Sequence, residues 1–414
     1  MSDLSSTTSS VFGHRSFRQY WLARVASVIA YQMQGVAVGW QMYELTGSAL
    51  DLGLVGLAQF LPSVALVLVV GQIADRYDRR LILRWCQRTE AAAAATLAVL
   101  SVTGAITELA LFAMVAVLGA ARAFEMPTQQ TLLPALVPTS LLARAVAANA
   151  SAGQTAIVLG PALGGLLYFA GPATVYGVCA AMFLTASILV GRIRMERIPA
   201  RREPPTMASL FAGIAYVRRH RALLGAISLD MFAVLLGGAA ALFPIYARDM
   251  LLVGPWGLGL LRSAPAIGAL ATAFWLAHRP LQSRAGRTML VAVAFFGVAT
   301  IVFGLSRSFA LSLGVLVLLG AADMFSVVVR QSLVQLGTPD VMRGRVSAVN
   351  SMFIGASNQL GEFESGVTAA WFGTVPAVVL GGVGTLLVVA VWWRLFPELV
   401  AVDRLESVAA EPGP

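Results

Sequence analysis

The feature that most constrains this chain is an apolar run of about twenty residues that recurs from one end of the sequence to the other. Roughly twenty helical residues, rising about 1.5 Å each, cross a hydrocarbon layer about 30 Å thick. Twelve such runs are read: Trp21 to Tyr43, Leu52 to Ala74, Leu81 to Gly104, Leu109 to Pro127, Arg144 to Phe169, Ala173 to Gly191, Ala222 to Tyr246, Pro255 to Ala277, Thr288 to Leu305, Phe309 to Val329, Val346 to Trp371 and Val375 to Phe396. They are long and continuous rather than ten-residue segments of alternating polarity, so they predict helices and not barrel strands. Pro62, Pro161, Pro244 and Pro265 fall inside them and are tolerated in membrane helices.

Charge is scarce, with 12% charged against 58% hydrophobic residues. A soluble domain carries about a quarter charged residues, so the apolar excess must face lipid. The chain has no lysine, and its arginines are unevenly placed. Arg76, Arg79, Arg80 and Arg84, then Arg192 to Arg221, then Arg279, Arg284 and Arg287 follow even-numbered spans. Loops after odd-numbered spans hold only Arg248 and Arg307. The positive-inside rule puts the arginine-rich loops, and with them both termini, in the cytoplasm. The net charge of +9 thereby reflects topology and argues against a nucleic-acid partner.

The expected organisation is a disordered cytoplasmic leader over 1–20 without a cleavable signal, a six-helix bundle over 21–191, a linker over 192–221, a second six-helix bundle over 222–396, and a cytoplasmic tail over 397–414. Within the linker, Leu210, Phe211, Ile214 and Val217 recur at helical spacing and predict an interfacial helix. Cys86 and Cys179 lie at different depths, which disfavours a disulfide, and they form no metal-binding pattern.

Internal repetition supports two halves independently of hydropathy. Leu118-Gly-Ala-Ala returns as Leu319-Gly-Ala-Ala. In the same register Phe124, Gln130, Leu132, Pro138, Arg144, Ala147 and Asn149 return as Phe325, Gln331, Leu333, Pro339, Arg345, Ala348 and Asn350. Earlier in each half Arg18, Gly35, Tyr43, Gly56 and Pro62 match Arg221, Gly238, Tyr246, Gly259 and Pro265. Parallel repeats of this kind suit a carrier whose halves rock about a central site.

Gly71-Gln-Ile-Ala-Asp75-Arg76-Tyr-Asp78-Arg79-Arg80 resembles the signature loop of the major facilitator superfamily, with Asp78 where glycine is usual and aspartate tolerating a left-handed turn. The resemblance implies that Gly71, Asp75, Arg76, Arg79 and Arg80 form a cytoplasmic gate. Gly160-Pro161-Ala-Leu-Gly164-Gly165 is similar to the helix-five antiporter motif of the exporting branch, with Ala156 in place of a glycine. Its small residues let backbones approach closely, and its proline loosens the helix. Arg122-Ala-Phe-Glu-Met-Pro127, Asn149-Ala-Ser151 and Arg343-Gly-Arg345-Val resemble the branch that contains the enterobactin (siderophore) exporter. The resemblance implies a monomeric bacterial inner-membrane carrier for siderophores, drugs or related compounds.

Ionisable groups inside membrane spans are costly and mark function or an ion pair. Asp230 is the first candidate proton carrier, with Glu362 and Glu364 next; each has an arginine ion pair as its alternative role. Tyr31, Gln32, Gln34, Gln59, Arg262 and Asn358 are the polar candidates for a substrate cavity, Arg262 alternatively neutralising a glutamate. Arg122 and Asp323 occupy equivalent repeat positions with opposite charge and are expected to meet as a gate; Glu125, one turn from Arg122, is the local alternative. No nucleotide-binding loop or nucleophile–base pair is visible, and His14, His220 and His278 lie at span edges. The reading is an all-α major facilitator fold performing proton-coupled efflux of a small amphipathic molecule, with no cofactor and no enzymatic step. Import, lipid flipping and ligand sensing are its rivals.

Overall fold

The computed structural model describes residues 10–66, 69–70, 73, 77–194, 207–281 and 283–404. Its long elements are α1 Arg15–Thr46, α2 Ala49–Ala65, α3 Arg79–Val102, α4 Glu108–Leu132, α5 Leu142–Leu167, α6 Pro172–Gly191, α7 Met207–Arg219, α8 Arg221–Gly237, α9 Gly254–His278, α10 Ala285–Leu305, α11 Phe309–Leu336, α12 Asp340–Phe372 and α13 Thr374–Leu395. No strand occurs among the described residues. Eight helical segments there are long and apolar enough to cross a membrane. The more polar α1, α3 and α12 and the 17-residue α2 fall outside that set.

Several ends differ from expectation. The chain enters α1 at Arg15, and the turn before it packs inward: Val11 and Phe17 are buried in one apolar cluster with Leu132 and Val190. Residues 10–20 of the expected leader are therefore folded. The start of the tail is likewise docked, because Leu399 and Val402 belong to the core around α8 and α10. Asp78 has φ −61° and ψ 121°, an extended conformation and not a left-handed one. Its carboxylate instead caps α3 by accepting from the Arg80 amide at 2.9 Å. The seventh span is continuous in polarity over Arg221–Met250 but breaks after Gly237 into a 3₁₀ turn, a short helix containing Pro244 and a π turn. Proline removes the amide that a regular helix would need there.

The helices cluster into two compact units, 1–38 with 58–204, and 39–57 with 205–414. This departs from the sequence boundaries at 39–57, the end of α1 and start of α2, which pack with the second unit. The reasons are specific. The Tyr43 hydroxyl donates to Asp249, and Arg248 donates to the Tyr43 carbonyl at 3.1 Å while lying 5.4 Å from its ring centre. Gly53 and Gly366 meet so closely that a Cβ on Gly53 would lie 2.9 Å from the Gly366 Cα. In the first unit α3 packs on α4 and α6; in the second, α9 and α10 pack on α11, and α8 on α12 and α13. The expected interfacial helix is α7, which lies on α12 through Gly213 and Val217 rather than through Phe211, whose ring is exposed.

The repeat is visible as packing. Gly119 of α4 lies against the Gln59 backbone of α2, and its repeat partner Gly320 of α11 lies against the Pro265 backbone of α9. A side chain at either position would meet main chain, which cannot swing aside. Gly119→Ile and Gly320→Ile should each destabilise by about 1–3 kcal/mol through overpacking. The expected readout is a lower thermal midpoint and less monodisperse protein in detergent; an unchanged profile for both would refute these contacts.

Candidate functional site

Each unit contains a cluster of buried charge, built from helical stripes that face one another. In the first unit Tyr20, Arg24, Ser27 and Tyr31 share one face of α1, and Arg122, Glu125 and Gln129 share one face of α4. Glu125 is fully buried and accepts from Arg122 at 2.5 Å, from Ser27 at 2.8 Å and from the Gln129 amide at 2.8 Å. Gln129 in turn accepts from Arg24 through its side chain and from Tyr20 through its carbonyl at 3.1 Å. The Arg122 guanidinium lies 4.1 Å from the Tyr31 ring centre, and the Tyr31 hydroxyl accepts from Gln59 at 2.6 Å. Such a cation over an aromatic face is held electrostatically, more strongly where water is excluded.

Glu90, on α3, completes this cluster. It is fully buried, with its carboxyl against that of Glu125 and close to Arg122.

In the second unit Arg330 of α11 donates to Asp230 of α8, with both side chains almost wholly buried. Asp323, two turns before Arg330 on α11, lies beside the pair. The cluster therefore contains two carboxyls and one guanidinium. Taking a charge out of water costs several kcal/mol unless it is neutralised, which explains why Asp230 and Arg330 are found together.

Other expected residues divide between these clusters and elsewhere. Glu362 faces Gly56 and lies within electrostatic reach of Arg262, whose guanidinium also borders Gly39. Glu364 points away and accepts from Thr368 at 2.7 Å. Tyr31 and Gln59 join the first cluster, whereas Gln32 packs against Gly160, Gln34 is buried outside it, and Asn358 is exposed. Arg122 is held by Glu125 within its own unit, and Asp323 adjoins Asp230 and Arg330 within its own.

The helix-five glycines sit at close contacts with α1: at Gly160 a Cβ would meet Gln32, and at Gly164 the Met33 backbone, at under 3 Å. Pro161 and Gly165 are buried beside them. Arg79 donates to the Thr131 carbonyl at 3.2 Å, and Arg80 pairs with Asp78 at 2.6 Å while reaching the Ile193 carbonyl at 3.0 Å. Gly71, Asp75 and Arg76 lie outside the described residues.

Sequence reading missed Glu90, Arg24, Ser27, Gln129 and Arg330. The repeat could have found most of them. Arg122, Glu125 and Gln129 correspond in one register to Asp323, Ser326 and Arg330, and Ser27 corresponds to Asp230. The contact between α1 and α4 thus recurs between α8 and α11 with the charges redistributed. Arg330→Met should destabilise by about 3–5 kcal/mol, the cost of leaving a buried charge without its partner. Adding Asp230→Asn should recover most of that loss in thermal unfolding; a double variant no more stable than Arg330→Met would refute the pairing.

A family model described as transmembrane secretion effector matches residues 6–413. The chain is 27% identical over 392 residues to the enterobactin exporter EntS of Citrobacter koseri, with 93% of each chain covered. It is 27% identical over 379 residues to the enterobactin exporter EntS of Shigella boydii serotype 4, covering 90% of this chain and 86% of that one. Among solved structures it resembles a bacterial homologue of the lysosomal transporter Spinster, at TM-score 0.73, 13% identity and coverage of 97% and 98%. It also resembles a bacterial homologue of the iron transporter ferroportin, at TM-score 0.70, 16% identity and coverage of 95% and 100%.

Proposed function

We propose that this chain, which belongs to the transmembrane secretion effector family of the major facilitator superfamily, is a proton-driven exporter of a small amphipathic compound, working by alternating access. The observation that carries the reading is the half-buried Asp323 beside the buried pair of Asp230 and Arg330. Two carboxylates and one guanidinium leave one negative charge unbalanced in a low-dielectric interior, and a proton on either carboxyl removes it. A site that is neutral with the proton and charged without it tolerates burial in one state and favours water in the other. That difference couples proton movement to a change of access.

The first cluster fits the substrate side of the same reading. Tyr31 and Gln59 offer an aromatic face and an amide next to Arg122, a set that suits a ligand with both rings and oxygen acceptors. Enterobactin, after which those exporters are named, is the first compound to test. In this reading the twelve spans cross the bacterial inner membrane with both termini in the cytoplasm. The chain acts as a monomer without catalysing a covalent step. Alternating access would require 39–57 to part from 205–414 and rejoin, so the Tyr43, Arg248 and Asp249 contacts would break and re-form in each cycle.

The test uses inverted vesicles with an imposed pH gradient and enterobactin as probe. Substrate uptake accompanied by proton release is expected, with Asp230→Asn keeping binding while losing gradient-driven uptake at least tenfold. Binding without flux in the unaltered protein would favour a receptor. Normal gradient-driven uptake by Asp230→Asn would overturn the coupling assignment.

A further inference from the structure

We infer that the second unit carries a binding site for an anionic phospholipid, in a groove of about 550 Å³ between α10, α11 and the end of α13. One end of the groove is formed by Arg284, Arg287 and Thr288; from there it runs along Val291 and Phe295 of α10, with Phe325 and then Leu318 of the antiparallel α11 as its other wall. At about 1.5 Å per residue, Arg287 to Phe295 spans about 12 Å, so a charged end passes into an apolar channel along a single helix. This is the polarity profile of one lipid: a headgroup at the arginines and an acyl segment along the channel. Trp393 borders the groove, as aromatic residues do where a membrane's polar and apolar zones meet.

The arginines are placed for an anion from outside the chain. Both are exposed, and neither occurs among the ion pairs of the described residues. Arg284 is left-handed at φ 56° and ψ 35°, uncommon for a residue with a side chain. Its amide is held by the Asp403 carboxylate at 2.8 Å, and the next two amides donate to the Asp403 and Val402 carbonyls at 3.0 Å each. The first amides of α10 are therefore used by the docked tail, leaving the guanidiniums as donors at the mouth. Forked guanidiniums suit phosphate oxygens, and basic groups at a membrane surface attract anionic lipid.

The groove opens sideways. Val291 is 59% exposed, Leu318 52% and Phe295 46%. In a membrane-spanning helix that flank faces hydrocarbon, which selects a membrane lipid over a dissolved phosphate compound. The site lies wholly within the second unit and does not depend on the direction or coupling of transport.

The experiment is native mass spectrometry of the full chain released from detergent, after equilibration with equal phosphatidylglycerol and phosphatidylethanolamine. The unaltered protein should retain phosphatidylglycerol in preference. R284Q/R287Q should lower that retention at least fivefold, R284K/R287K should keep most of it, and Arg279→Gln, outside the groove, should not change it. Leu318→Trp fills the groove from its exposed flank while leaving both arginines, and should also lower retention. Equal retention of the two lipids would overturn the site. So would undiminished phosphatidylglycerol in R284Q/R287Q, or loss there with full retention in Leu318→Trp, which would mean surface attraction without a groove. Should R284Q/R287Q fail to fold, the lipid preference of the unaltered protein and the effect of Leu318→Trp still decide.

Discussion

Buried charge in a medium that cannot solvate it is the constraint on which this structure turns. Hydrocarbon offers neither water nor counter-ions, so every ionised group within a span must find its partner in the protein. The chain meets this by bringing a stripe on one helix against a stripe on another: Ser27 and Arg24 of α1 to Glu125 and Gln129 of α4, and Asp230 of α8 to Arg330 of α11. These contacts fix which faces of the four helices turn inward. Apolar packing alone would leave those rotations weakly specified, because lipid is as good a neighbour for leucine as another leucine is.

Close backbone approach supplies the rest. Gly119 on Gln59, Gly320 on Pro265 and Gly164 on Met33 bring helices to distances at which dispersion contacts become dense. The first two are made by the same residue of the repeat against equivalent helices, α2 and α9, at points about one turn apart in the repeat register. The third has no such partner in the repeat alignment and belongs to the glycine-rich stretch of α5. Packing is thereby duplicated where the scaffold needs it and differs where the units do different work.

This explains what could be read from the sequence. The all-helical, membrane-spanning character follows from hydropathy, because a membrane penalises every wrongly placed polar group. The doubled organisation follows from the repeat, and Asp230 stood out as a lone charge in an apolar run. Arg330 did not, because it lies near the end of its run, where an arginine reads as an anchor at the membrane edge. Glu90 was similarly lost among the arginines that open α3. Asp78 was misread because a glycine at its motif position suggested a left-handed turn, whereas an aspartate before a helix reaches the same end by capping it. The docking of 39–57 on the second unit depends on Tyr43 meeting Asp249, two residues 206 positions apart, and no local pattern encodes that.

The register that relates the units also shows why they are not interchangeable. At the positions occupied by Ser27, Arg122, Glu125 and Gln129, the second unit has Asp230, Asp323, Ser326 and Arg330. In the first unit the cation and anion that bond are on one helix, one turn apart, so the pair persists however α1 moves against α4. In the second they are on different helices, so any shift of α8 against α11 strains or breaks the bond. A pair within one helix is a fixed dipole, whereas a pair across two helices responds to motion. The same four positions thus give one unit a stable polar surface beside Tyr31 and Gln59, and give the other a charge balance that depends on where its helices stand.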